Sequence, residues 1–311
     1  MNDKGRKNRN VTQINGDVNT GGGDFIGRDK VTNIVVDGKQ LHNPIVIKEI
    51  SLQAGPRNEM HQKSPLSLGD SIYVVHEIIA SAELGNILAR TARAADQSLQ
   101  EDVGILHLKL IAGTDTGRLL SFAQRRAQNI NLAAGQSRSL AGIRKILISE
   151  QDLWVVSHWP SGTRSWKKEY MDGPPPGELD IHQMLTWSIA VCDALSALHR
   201  RHELHGGISA ETIVRARNRD VVLTQAWFAG NLSKETLFPT HFDPQVDLHA
   251  FGLLLHQTLT HQPDGYEPAS SYNLQVPPEL DTLIENIKDG AIKHVPDLKH
   301  RLIQIRKNIG S

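Results

Sequence analysis

The chain has 311 residues, in which 34 Lys and Arg residues balance 34 Asp and Glu residues, so the formal net charge is zero. A neutral chain lacks the overall electrostatic attraction to nucleic acid or to anionic membranes that strongly basic proteins have. The single cysteine, Cys192, excludes an intrachain disulfide and a cysteine-rich zinc site. No apolar run approaches the roughly 18 residues of a membrane span, and no signal peptide is visible at the start. We expect a cytoplasmic protein that binds neither nucleic acid nor membrane.

Residues 1–38 are rich in Gly, Asn and Asp. In VTQINGDVNTGGGDFIGRDKVTNIVVDG, residues 11–38, apolar residues stand between turn-forming clusters. Gly and Asn reach positive φ at little cost, so each cluster is a turn candidate. The segment is therefore either a β element, coiled as a solenoid or folded as a hairpin, or a disordered tail.

The words GDVNT and GGDFIGRDKV in this segment resemble short elements at the front of bacterial signalling and conflict (defence) proteins, including some with NACHT-type or other STAND NTPase modules. The resemblance implies either self-association through residues 11–38 or recruitment of a protein partner such as a STAND-type NTPase or an effector.

Residues 39–70 read as a linker with one short strand at Ile45–Ile47, because Pro56, Pro65 and Gly69 interrupt any longer element. Residues 71–162 then alternate between strand patterns (SIYVVHEIIA, VGILHLKLI, DLWVVSHW) and one helical pattern at 115–134. They predict a small β-rich lobe.

Residues 163–311 are mostly helical in pattern. Met184–Leu198 carries apolar residues at helical spacing and leads into the loop HRRHELHGGISAET, a short strand, a turn and the strand VVLT. Further helices are predicted at VDLHAFGLLLHQTLT, at Pro278–Lys288 and at Asp297–Lys307.

The stretch from His199 to Gly230 resembles the catalytic centre of protein kinases. LHRRHELHGGISAETIV is similar to the loop in which His-Arg-Asp or His-Gly-Asp precedes Ile-Lys-Pro-Glu-Asn-Ile, and VVLTQAWFAG is similar to the strand that runs into Asp-Phe-Gly. The resemblance implies an α+β, bilobal kinase-like fold, with a small lobe at 71–162 and a large lobe at 163–311. It also implies that Asp247 accepts hydrogen bonds from the backbone of the catalytic-like loop and, with Gly252, serves the fold.

The positions that carry kinase chemistry are degraded. Kinases keep an Asp, a Lys and an Asn in the loop and an Asp in Asp-Phe-Gly, and these acids and the Asn serve proton transfer and Mg²⁺. The matching residues are Gly207, Ser209, Thr212 and Gln225. Mg²⁺ favours carboxylate ligands, so the resemblance implies no catalytic residues and no metal: a pseudokinase.

The phosphate-binding side of the small lobe is degraded in the same way. The glycine-rich loop register gives Ala80, Ala82 and Gly85, so one of three glycines remains. Lys109 stands at the phosphate-contacting lysine, and with Gly85 it would contact any bound nucleotide. The helix that should supply the partner acid offers Gln124, Arg125 and Arg126 instead.

Two features leave alternatives open. Trp159 and Trp166 flank the connection between the lobes and either line a cleft for a flat ligand or pack in a core. His199, His202 and His205 stand three residues apart and are either structural or zinc ligands, the structural role being favoured.

The sequence therefore predicts a catalytically inactive regulatory module, a scaffold or a sensor, in a bacterial signalling or defence system. It would need no cofactor, although ATP binding without Mg²⁺ is compatible with it. Two alternatives remain: an atypical phosphotransferase that uses Lys109 with a non-standard metal site, and a switch that binds nucleotide without transferring phosphate.

Overall fold

The computed structural model describes residues 29–32, 35–36, 39–40, 45–49, 60, 65–68, 71–83, 87–110, 116–148, 152–160, 163–218, 220–224, 242–263 and 267–309. Gly85 and Gln225, among the predicted site positions, and most of the Gly-, Asn- and Asp-rich segment lie outside these ranges.

One mixed sheet contains most strands of the first half of the chain. Its neighbours follow the order β1-β4-β9-β10-β8-β7-β6-β5, in which β4 and β9 run parallel and the other pairs run antiparallel. The strands β2 and β3 form a separate pair. The bounds are β1 (Asp29–Thr32), β2 (Val35–Val36), β3 (Lys39–Gln40), β4 (Ile45–Glu49), β5 (Pro65–Leu68), β6 (Ser71–Glu83), β7 (Ile87–Asp96), β8 (Glu101–Leu110), β9 (Ile143–Ile148) and β10 (Asp152–His158).

Two strands from residues 39–70 widen this sheet, with β4 between β1 and β9 and β5 at the opposite edge. The strand β4 pairs with β9, and β5 pairs with β6. Met60 is 1% exposed and packs in the same apolar cluster as Leu66 and Leu68 of β5. An extended segment beside a sheet edge satisfies its backbone N–H and C=O groups by pairing. The stretch expected to be a linker thus contributes two strands to the small lobe.

The two faces of the sheet bury different clusters, because successive side chains of a strand point to opposite faces. In β8, Leu106 and Leu108 pack with the helix α1 (Thr116–Ala134) in the larger core. Val103 and Ile105 belong to a second cluster with Trp154 on the opposite face. Apolar residues of α1 at three- and four-residue spacing explain its position on the first face; they are Ala123, Ala127 and Ile130.

The second half of the chain forms a helical lobe around the larger core. Its elements are β11 (Arg164–Ser165), a π-helical turn (Lys167–Met171), α2 (Glu178–His199), β12 (Ile213–Arg215), β13 (Val221–Leu223), α3 (Gln245–Thr260), a 3₁₀ turn (Ala269–Ser271), α4 (Pro278–Lys288) and α5 (Val295–Ile309). A β-rich lobe followed by a helical lobe matches the predicted α+β arrangement.

Two local features fix the helices of this lobe. The helix α2 begins one residue after Gly177, whose N–H donates to Asp180 Oδ2 at 3.3 Å, so Asp180 at the third helical position satisfies the backbone N–H of the N-cap residue. In α3, a Cβ on Gly252 would meet Ile287 Cγ2 at 2.7 Å, so this glycine lets α3 and α4 approach closely. Within the ranges described above, no helix combines the length and the apolar character of a membrane span.

Candidate functional site at the catalytic-like loop

The loop that follows α2 is anchored by one buried carboxylate. Asp247, in the first turn of α3, is fully buried. Its Oδ2 accepts the backbone N–H of His205 at 2.8 Å, its Oδ1 accepts the N–H of Gly206 at 2.8 Å, and His199 Nε2 lies 2.9 Å from Oδ2. The structural role that the kinase resemblance implied for Asp247 is confirmed by these hydrogen bonds.

The pKa of Asp247 reports how well this carboxylate is satisfied. Burial alone would raise the pKa, because it penalises the charged form. The hydrogen bond and charge of His199 and the Gly206 N–H outweigh burial and hold the pKa of Asp247 below its ordinary value. The loop therefore rests on an ionised carboxylate at neutral pH.

His205 ties the same loop to the strand β13. Its Nδ1 accepts the N–H of Gly207 at 3.2 Å, which leaves Nε2 as the protonated nitrogen, and Nε2 donates to the carbonyl of Thr224 at 2.9 Å. Burial lowers the pKa of His205 against the opposing charge of Asp247, so the ring is neutral. Gly206 reaches φ +73°, a left-handed conformation that glycine adopts without strain.

Thr212, at one of the positions matched to kinase catalytic residues, uses its polar groups inside the loop. The Thr212 hydroxyl accepts the N–H of Ser209 at 2.9 Å and lies 3.0 Å from the carbonyl of Ser209 and 3.3 Å from that of Gly207. The carbonyl of Thr212 accepts the N–H and the hydroxyl of Thr224, at 2.7 and 2.9 Å. Gly207 is buried and has no side chain. These positions close the loop and present no carboxylate.

A buried arginine connects the small-lobe helix α1 to this loop. Arg126 is 1% exposed, and its Nη2 donates to the carbonyl of Leu204 at 2.9 Å. Its Nε lies 3.7 Å from Glu203 Oε2, and Asn129 donates to the other oxygen of that carboxylate at 2.8 Å. Burial lowers the pKa of Arg126 to about 10, which leaves it charged at neutral pH, and burial raises the pKa of Glu203.

Main-chain hydrogen bonds join the lobes at a second point. The N–H of Leu223 in β13 donates to the carbonyl of Ser139 at 2.8 Å, and the N–H of Ala141 donates to the carbonyl of Leu223 at 3.0 Å. Residues 139–141 connect α1 to β9. The Arg126 contacts and this pairing hold the small lobe and the catalytic-like loop together.

The connection between the lobes is packed with apolar side chains. Trp159, directly after β10, is 6% exposed and clusters with Ala141, Val214 and Val222, and Ile79 of β6 packs against them. Trp159 Nε1 donates to Thr163 Oγ1 at 3.0 Å, and the Arg93 guanidinium lies 5.6 Å from its ring centroid. Trp159 thus fills the space between the β12–β13 pair and the small-lobe strand β6.

Trp166 does not line a cleft. It is fully buried in the large lobe, where Nε1 donates to Thr258 Oγ1 at 2.7 Å. Tyr170, Trp187 and Phe251 surround it in edge-on contacts. Of the two predicted roles, core packing applies to Trp166.

Lys109 lies on the sheet face opposite α1. Its backbone lies opposite Asp152 in β10 and opposite Leu88 in β7. Strand alternation places its side chain on the same sheet face as His107 and Trp154, whose stacked rings have centroids 3.6 Å apart. Leu108, one residue earlier, packs with α1. The exposed Lys109 side chain therefore differs in direction from a lysine that faces the cleft, because a shift of one residue in a strand changes the face.

The three spaced histidines make different contacts. His199 lies against Asp247, His205 bonds to the loop and β13, and the exposed His202 meets the Phe242 ring edge-on at 5.4 Å. In the ranges that the structure covers, no group of three His, Cys, Asp or Glu residues has metal-ligand geometry.

Sequence reasoning missed the role of Arg126. In the sequence it stands in the helical turn where kinases carry the partner acid of the lysine, whereas the folded chain turns it toward the loop. A basic residue where kinases carry an acid, together with Glu203 just before the loop, was the available indication. Recognising the pair required the distance between α1 and residues 203–204, which only the folded chain supplies.

No family model and no curated protein matches this chain. Among solved structures, the Drosophila melanogaster PAN3 pseudokinase is similar at 17% identity, with a TM-score of 0.53, over 79% of this chain and 72% of that chain. A complex of Neurospora crassa PAN2 (WD40-CS1) with PAN3 (pseudokinase and C-term) is similar at 13% identity, with a TM-score of 0.55, over 83% and 66%. These comparisons, with the geometry above, show a bilobal protein-kinase-like fold.

Proposed function

We propose that this protein is a catalytically inactive pseudokinase that works as a protein-binding scaffold. The observation that carries the proposal is the state of the catalytic-like loop. Gly207 offers no base, and the Thr212 hydroxyl is engaged with Ser209 and Gly207. Phosphoryl transfer depends on positioned carboxylates and Mg²⁺ that neutralise the transferring group, and these loop positions supply neither.

A rigid scaffold is favoured over a nucleotide sensor. The cleft for a nucleotide would lie between the lobes, and here Trp159 fills space between the β12–β13 pair and β6, packed with Val214, Val222 and Ile79. A purine would have to displace a buried indole. The Arg126 contacts and the Leu223 pairing join α1 and residues 139–141 to the loop, and these contacts oppose a ligand-driven movement of the lobes.

The biological setting belongs to the proposal as well. A cytoplasmic bacterial signalling or defence system fits the wording of residues 11–38, which would drive self-association or recruit a STAND-type NTPase or effector. One structural neighbour is a PAN3 pseudokinase solved in complex with another protein, PAN2. That precedent supports protein binding as the use of this fold without identifying the partner.

Thermal unfolding of the full chain with and without ATP, each with and without Mg²⁺, tests the proposal. A ligand at 100 times its Kd that binds only the folded state stabilises it by about 2.7 kcal/mol and moves the Tm by several degrees. We expect no shift under any condition. A shift without metal would establish nucleotide sensing, and one that requires Mg²⁺ would support the atypical phosphotransferase.

A further inference from the structure

A second surface with binding character lies on the large lobe, separate from the catalytic-like loop. An open groove of about 460 Å³ runs between the start of α2, the segment before α4 and the end of α5. Its apolar lining comes from Leu274, Pro277, Ile305 and Ile309, and Gln275 and Asn308 add polar groups.

The leucines beside this groove are unusually exposed. Leu274 has 91% of its surface accessible, and Leu179, in the first turn of α2, has 87%. Asn273 donates to the carbonyl of Pro176 at 3.0 Å and to that of Leu259 at 3.2 Å. These bonds fix the segment that carries Leu274 beside the start of α2. Exposed apolar side chains on a fixed backbone around a groove are characteristic of protein-interaction sites.

The charged side chains that line the groove are both acidic. Glu178 begins α2 and Glu279 lies in the first turn of α4, and no Lys or Arg is among the lining residues. Opposite charges around an apolar contact select partners and speed their association. The complementary ligand therefore combines apolar anchors with flanking cations.

We propose that this groove docks a peptide segment of a partner protein that presents apolar anchor residues flanked by Lys or Arg. The apolar anchors occupy the groove beside Leu274, and the cations meet Glu178 and Glu279. This inference rests on the proposed scaffold function and gives it a partner class.

Selection of a random 12-residue peptide phage library on the full chain tests the groove directly. We expect enriched peptides to carry apolar anchors flanked by Lys or Arg, and the enrichment to disappear on Leu274→Asp. Leu99→Asp is the matched control, because Leu99 is a 56% exposed leucine of the small lobe, and it should leave the selection unchanged. No enriched consensus, or one that survives Leu274→Asp, would overturn the proposal.

The charge requirement has its own measurement. Glu178→Lys combined with Glu279→Lys should raise the Kd of the selected peptide about tenfold or more and reduce its salt dependence. An unchanged Kd would refute the cationic partner. Neither substitution lies near the catalytic-like loop, so the ATP unfolding experiment tests the scaffold proposal independently. If ATP does not shift the Tm and no peptide binds the groove, only the groove proposal fails.

Two further outcomes would assign the groove to another occupant. Sedimentation of the full chain at rising concentration would show a dimer that Leu274→Asp abolishes if a second copy fills it. Replacement of Lys4, Arg6, Lys7 and Arg9 by Ser would tighten peptide binding about tenfold if these residues compete for it. We expect neither effect.

Discussion

The catalytic-like loop and the small lobe stabilise this kinase-like fold in two different ways. In the loop, side-chain hydrogen bonds hold the backbone: Asp247 accepts the N–H groups of His205 and Gly206, and Thr212 closes the turn. In the small lobe, the sheet is extended by β4 and β5, and a buried Arg126 in α1 reaches the loop.

The difference follows from the free-energy cost of leaving buried polar groups without hydrogen-bond partners. An unsatisfied buried N–H costs about 1–3 kcal/mol, so the carboxylate under the loop is required whether or not the protein transfers phosphate. A residue that contacts only a ligand carries no such penalty. The need for the loop anchors is therefore independent of catalysis, while in the small lobe Arg126 of α1 contacts the loop.

The largest effect should come from removing the loop anchor. Asp247→Ala leaves two buried N–H groups and His199 without their acceptor, and we expect a loss of about 3–5 kcal/mol in the free energy of unfolding. Urea denaturation measures it. Asp193→Ala removes a partly exposed ion pair with Lys299 and should change stability by less than about 1 kcal/mol. Equal effects of the two substitutions would show that the loop does not depend on Asp247.

A comparable loss is expected at the connection between the lobes. Trp159→Ala should cost about 3–5 kcal/mol, because it opens a cavity beside Val214 and Val222. Added indole should bind that cavity and recover part of the Tm in the variant, with no effect on the unmodified chain. Failure of indole to raise the Tm would argue that Trp159 does not fill an enclosed space between the lobes.

The contact between α1 and the loop should be smaller and pairwise. Arg126→Met removes the donor to Leu204 and leaves the Glu203 carboxylate partly unpaired, at a cost of about 2–4 kcal/mol. A double-mutant cycle with Glu203→Gln should give a coupling energy of about 1–3 kcal/mol. The neighbouring exposed Arg125→Met serves as control and should stay within about 1 kcal/mol. Additive effects of Arg126→Met and Glu203→Gln would show that these two side chains do not act as a pair in joining α1 to the loop.

Sequence reasoning reached the loop more fully than the small lobe, for physical reasons. Asp247, Gly252 and His205 act through contacts whose spacing along the chain is characteristic, so their roles could be expected from a resemblance. The faces of a strand, in contrast, change with a single residue of register. The sequence alone therefore leaves open whether Lys109 faces the cleft, and in the folded sheet Leu108 is the residue that packs with α1.

Other features depend on contacts that no local pattern encodes. Residues 39–70 carry Pro and Gly and resemble a linker, but a free sheet edge can pair with any extended segment. The cluster of Trp159 with Val214, Val222 and Ile79 joins three separated parts of the chain. The sequence identified Trp159 as a residue between lobes without determining whether it lined or filled the space.

Acid should weaken the loop through its buried histidine. Burial lowers the pKa of His205, so between that lowered value and the ordinary value of 6.5 the unfolded chain binds a proton that the folded chain does not. Stability is therefore lost as pH falls below about 6.5, with a slope of at most about 1.4 kcal/mol per pH unit for one histidine. His205→Gln should reduce the slope of unfolding free energy between pH 7 and 5 by part of that amount. His202→Gln, at an exposed position, is the control, and identical slopes in the two variants would exclude His205 as the source.

The smallest effect on stability should be at Lys109 of the small lobe. Its side chain is exposed on the face opposite α1, so Lys109→Ala should change the unfolding free energy by less than about 0.5 kcal/mol. The Tm measured with ATP should equal that without it, in the variant as in the unmodified chain. An ATP-dependent shift that Lys109→Ala abolishes would place this lysine at a nucleotide. Lys109 would then contact phosphate although strand alternation places its side chain on the sheet face opposite α1. The atypical phosphotransferase would replace the scaffold as the favoured function.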